Sequence, residues 1–126
     1  MDCLQRIIHP SGHGAFFTKR ILQEGKADFI VVYDCGSFEN YPLEQKLLAN
    51  EVKEFFNAGD KIDILFLSHF NSDHVNGVKH LMPYLSFQTK LVMPFCYEYF
   101  YLPKNSPILE YMSMVMGIAD DLSVKS

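Results

Sequence analysis

The sequence predicts an α/β fold, a mixed sheet covered by helices. Three observations carry this prediction. Residues 28–33 and 62–67 are short apolar runs, the pattern of strands covered on both faces. Between them, residues 43–56 repeat apolar side chains at helical spacing. A second short helical pattern and a third strand then follow, and alternation of this kind marks a layered α/β domain.

Taken in order, residues 4–8 read as a short strand, ended by the turn-rich His9-Pro10-Ser11-Gly12-His13-Gly14. Residues 15–22 and 28–33 read as two strands joined by Gln23-Glu24-Gly25-Lys26, a hairpin signal. In the helix, Leu43, Leu47, Leu48, Val52, Phe55 and Phe56 recur at helical spacing, with Pro42 at its start and Gly59 beyond its end. The strand 62–67 runs into a polar loop, 68–73, and a short helix from His74 to about Leu81. A strand at 89–93 stops at Pro94. The remainder, 95–126, differs in character: an aromatic stretch, two prolines, then a Met-rich helix to about Ala119.

At 126 residues and 48% hydrophobic the chain is the size of one compact domain, and eleven Phe and seven Tyr supply a core. With 11 basic against 15 acidic residues, the formal charge of −4 excludes a chain-wide basic field for nucleic acid or anionic lipid. Cys3, Cys35 and Cys96 are odd in number and far apart, which indicates a reducing compartment rather than a disulfide framework. No apolar stretch approaches the ~20 residues of a membrane span. A cytoplasmic protein without a membrane partner is the expectation.

The chemistry concentrates in Ser68-His69-Phe70-Asn71-Ser72-Asp73-His74-Val75-Asn76-Gly77, at the carboxyl end of a strand, where open α/β sheets bind ligands. Two imidazoles and a carboxylate in so short a segment suit zinc, and three protein ligands plus water are the composition of catalytic zinc sites. The plainer reading is that Ser72 or Asp73 caps the following helix and His74 belongs to its first turn.

The loop resembles the metallo-β-lactamase superfamily, whose signature is H-x-H-x-D-H at a strand end, followed by a helix and a nearby Gly. The matching residues are His69, Asp73, His74 and Gly77, with Asn71 in place of the second His. Asp34-Cys35-Gly36 is similar to the family's strand-end Asp-x-Gly, and Gly12 to Phe17 to its opening glycine-marked hairpin. The resemblance spans about residues 4–94. It implies the N-terminal half of an αββα sandwich, so that 1–126 would be a single partial domain with 95–126 as a divergent tail.

Carried over by residue, the resemblance makes His69 a ligand of a first metal position and Asp73 and His74 ligands of a second. Asp73 is also the catalytic candidate that orients or deprotonates the attacking water. Asp34 would steady the ligand loop by hydrogen bonds without touching the metal, although a capping or turn carboxylate before Gly36 is the alternative. Asn71 would be a weak ligand, because an amide oxygen is harder and weaker than imidazole; zinc is the expected metal, with Mn(II) or Mg(II) as alternatives. An H-x-D-x-D-H variant is found in the nuclease-like domain of competence-type DNA uptake proteins, which makes nucleic acid or a nucleotide a candidate substrate.

The implied activity is metal-dependent hydrolysis of a phosphodiester or ester. The family's later ligands, a His, a bridging Asp and a last His, have no counterpart: no histidine follows Leu81, and Asp120 and Asp121 lack strand context. A second chain or a homo-oligomer is therefore expected to complete the sandwich, and a non-catalytic remnant or binding module is the competing expectation. Of the remaining candidates, His9 and His13 read as turn residues that are solvated or line the site mouth, His80 as a surface residue, and Cys35 as a small buried thiol.

Overall fold

The computed structural model describes residues 3–12, 14–37, 41–68, 75–93 and 117. Five strands form one sheet in the order β1 (Cys3–Ile8), β2 (Ala15–Leu22), β3 (Phe29–Gly36), β4 (Ile64–Phe66) and β5 (Lys90–Val92). The first three strands pair antiparallel and the last two join in parallel. A parallel step needs a crossover. Between β3 and β4 it is supplied by α1 (Pro42–Phe55); between β4 and β5 the described part is a 3-10 helix (Val78–Tyr84).

Most of this follows the local pattern of the sequence. The second strand has the expected bounds, and α1 begins at Pro42, whose fixed φ suits a first helical position. Two elements differ in extent. β3 runs three residues past Tyr33, through Asp34 and Cys35 to Gly36. β4 is shorter than 62–67, although Asp63 still bonds to both neighbouring strands: its amide donates to the Ile30 carbonyl and its carbonyl accepts the Lys90 amide, both at 2.8 Å, and its carboxylate accepts the Ile30 amide at 2.8 Å. The segment expected as a short helix from His74 to about Leu81 is α-helical at Val75, turns at Asn76 and Gly77, and continues as a 3-10 helix over Val78–Tyr84. Pro83 within it offers no amide hydrogen, and short 3-10 turns tolerate that better than a continued α-helix.

The core lies between the helices and the sheet face bearing Phe16, Ile30, Val32 and Leu65, packed against Leu48, Val52, Val78 and Leu81. On α1 only a narrow stripe is covered: Leu48 and Val52 are buried, whereas Leu43 and Leu47 are exposed. The opposite sheet face carries a transverse row in register, Ile8, Phe17, Tyr33, Phe66 and Val92, one residue from each strand. Ile8 is 80% exposed, and Phe17, Phe66 and Val92 lie between 37% and 41%. No helix among the described residues is long and apolar enough to cross a membrane.

Away from the carboxyl ends of the parallel strands, Arg20 fastens β2 to the end of α1. Its guanidinium donates to Asp28 at 3.0 Å, to Asp60 at 2.9 Å and to the Phe55 carbonyl at 3.3 Å, and lies 4.6 Å over the Phe55 ring. Burial opposes the charge on Asp60, but the Arg20 and Asn57 hydrogen bonds and the guanidinium charge outweigh it and hold that carboxyl below its ordinary range.

Candidate metal centre

The carboxyl end of β3 is distorted at one residue. Phe16 pairs with Cys35 but the next residue, Phe17, pairs with Tyr33, so Asp34 is the extra residue of a β-bulge. Its φ is +58°, a left-handed conformation that short polar side chains tolerate better than most. A bulge re-aims a side chain. Here the buried Asp34 carboxylate is turned toward the end of β4, where Oδ1 accepts the Ser68 amide at 2.8 Å and Oδ2 accepts the Ser68 hydroxyl at 2.6 Å. Asp34 thus bonds across the sheet to the residue immediately before His69.

Beyond the loop, Val75 is buried in the core, the Gly77 amide donates to the Cys35 carbonyl at 2.8 Å, and Asn76 bonds to Ser37. Gly77 is required by close approach: a Cβ there would stand 2.6 Å from Leu48 Cδ2 and 2.9 Å from Cys35 Sγ. Cys35 is fully buried, and burial, with the Asp34 charge beside it, pushes its thiol well above the ordinary range. The expectation of a small buried thiol describes it.

His69, Asn71, Asp73 and His74 lie outside the described residues, as do His13 and, apart from Gly117, the tail 95–126. Among the described residues no group of three or more His, Cys, Asp or Glu is placed to hold a metal ion. What the structure brings together is the frame of the loop: Ser68 on one side, Val75 to Gly77 on the other, both bonded to residues 34–37.

One histidine expectation is corrected. His9 is buried rather than solvated: Nδ1 lies 3.3 Å from the Glu51 carboxylate, Nε2 lies 2.7 Å from the Thr18 hydroxyl, and the ring stacks on Phe16 at 4.3 Å. Desolvation lowers its pKa, the hydrogen bond and charge of Glu51 only partly opposing this, so the ring is held neutral. It is a packing residue that ties the end of β1 to α1. His80 keeps part of its surface in solvent, and partial burial followed by the Lys79 charge lowers its pKa as well.

Sequence reasoning missed Ser37, Ser68 and Asn76. The local signal was their place, since each adjoins the end of an apolar strand or the Gly that follows the ligand loop; the bonds of Ser68 to Asp34 and of Asn76 to Ser37 join residues 34 and 39 positions apart.

The donors on this loop, two imidazoles and a carboxylate, fit a divalent cation by their chemistry, and the buried carboxylate that fastens the loop's first residue is the support such sites require. No curated protein and no solved structure matches the chain. A family model described as the metallo-beta-lactamase superfamily matches residues 21–111, starting later than the resemblance traced from residue 4 and reaching past residue 94. That superfamily generally binds divalent metals, which agrees with the donor set, and the mixed sheet with its helices fits its fold. With most of the sequence matched, the chain belongs to the metallo-beta-lactamase superfamily.

Proposed function

We propose that this protein is a metal-dependent hydrolase whose cation is held by His69, Asp73 and His74, with Asn71 as a weaker fourth donor. The observation that carries the reading is the Asp34 bulge, which spends a buried carboxylate on Ser68, the residue preceding the first donor. A bound divalent cation would supply an acidified water and a Lewis acid for the substrate oxygen. His69 and His74 would bind as neutral imidazoles. Asp73 would hold the attacking water and take its proton. Asp34 would restrict where the loop begins, reducing the conformations that compete with binding. Zinc is the metal that the imidazole donors favour, and the amide at Asn71 widens the choice to Mn(II) or Mg(II). The proposed substrate is a phosphodiester or an ester.

One observation favours a second reading, a binding module that keeps the loop without its chemistry: Asn71 stands where the family signature has a histidine. Elemental analysis of the purified protein, with His74→Ala as control, separates the two. About one divalent metal per chain, lost in the variant, with turnover of bis(p-nitrophenyl) phosphate or p-nitrophenyl acetate also lost, supports the hydrolase. Metal-free, folded protein without turnover refutes it.

A further inference from the structure

We propose that Asn76 is a positioning residue for the metal-ligand loop, tying its far side to the same end of β3 that Asp34 uses for its near side. The inference rests on the metal-centre reading above and adds a residue to it.

The Asn76 side chain is buried and engages one backbone unit twice. Its Oδ1 accepts the Ser37 amide at 3.0 Å and its Nδ2 donates to the Ser37 carbonyl. A carboxamide reproduces in this way the paired donor and acceptor of a neighbouring strand; a carboxylate has no donor, and a hydroxyl carries donor and acceptor on one atom and does not span both groups. The anchor itself is rigid. Ser37 is fully buried, its hydroxyl donates to the Ser11 carbonyl and lies 3.2 Å from the Glu44 carboxylate, and its carbonyl also accepts Gln45 Nε2 at 2.9 Å. Ser37 is thereby gripped by the β1–β2 connection and by the first turn of α1.

Three contacts therefore bracket residues 69–74: Asp34 to Ser68, Cys35 to Gly77, and Ser37 to Asn76. All three anchors fall within four consecutive residues. A six-residue segment pinned at both sides to one rigid strand end has few ways to place its donors, so less conformational freedom is lost when they converge on a cation. Pinned on one side only, the same donors would converge at greater entropic cost. Cys35 to Gly77 is a single backbone bond; Asn76 adds the two that resist rotation about it.

The test is Co(II) affinity and the visible d–d spectrum of the full chain, with urea stability measured in parallel without metal. Asn76→Ala deletes both bonds; Asn76→Ser keeps a polar group too short for both and serves if the alanine variant does not fold. Gln45→Ala is the control, because it removes a bond to the same Ser37 carbonyl without touching the loop. Expected are a roughly 10- to 100-fold loss of Co(II) affinity and an altered spectrum for the Asn76 variants, with less than about threefold change for Gln45→Ala at comparable destabilisation. Wild-type binding that the Asn76 variants retain, or that Gln45→Ala weakens equally, overturns the positioning role alone. A folded wild type that binds no Co(II) overturns both this role and the metal centre.

Discussion

The bulge at Asp34 makes a prediction that separates backbone from hydrogen bonding. In Asp34→Ala two bonds to Ser68 disappear, at 2.8 and 2.6 Å, both charge-assisted. Ser68 is exposed, so water takes the place of the carboxylate and the donors are not stranded; each bond then counts near the low end of its range, together about 3 kcal/mol. Alanine at a φ of +58° adds about 1 kcal/mol, because its Cβ crowds the carbonyl in the left-handed region. The expected loss is about 4 kcal/mol, seen as a fall of roughly 15 °C in Tm for a chain of this length. Asp34→Gly relieves the backbone but not the bonds, and should lose about 3 kcal/mol. Asp34→Asn tolerates the same φ and still accepts the Ser68 amide, so about 1 kcal/mol is expected. Urea unfolding followed by circular dichroism, at constant m-value, measures all three. A cost below about 1 kcal/mol for alanine, or equal costs for alanine and asparagine, would refute the account of Asp34 as a charged clamp on Ser68.

Three further outcomes are expected. Because His9 is held neutral below its ordinary pKa of about 6.5, the unfolded chain binds more protons than the folded one just below that pH, so stability present above about 6.5 is lost as the pH falls from there toward the depressed value. Urea midpoints between pH 7 and 5 should fall less steeply for His9→Gln; an unchanged slope contradicts the burial argument. Arg20→Met keeps the stem over Phe55 but leaves Asp28 and Asp60 without their cation, and should destabilise by about 2 to 3 kcal/mol, reduced from the cost of a fully buried pair because both acids keep some solvent contact. Gly77→Ala drives a methyl against Leu48 and Cys35, and thermal unfolding should register a loss of about 2 kcal/mol; stability within about 0.5 kcal/mol of wild type would refute a close approach at Gly77.

The residues themselves determined the parts of this protein that depend on neighbours a few positions away. The hairpin signal at Gln23-Glu24-Gly25-Lys26 separates β2 from β3, Pro42 and the apolar spacing behind it define α1, and the two imidazoles and carboxylate of residues 69–74 form a donor set suited to a divalent cation. Such signals are legible because strand and helix periods and turn residues act over short stretches of chain. The tertiary structure decided the rest. Asp34 reads in sequence as a carboxylate just past a strand, steadying the loop or capping a turn before Gly36, yet its bulge exists only in the pairing with β2 and its partner Ser68 arrives only once β4 lies beside β3. His9 sits in a turn-rich segment that suggests solvent, and is buried because Phe16, Phe55 and Glu51 arrive from β2 and α1. Asn76 carries no local mark of its role, since a side-chain amide acquires one only from the backbone it meets, here 39 residues away. Period and composition are properties of a segment, whereas a hydrogen-bonded partner brought in by the fold is a property of the whole chain.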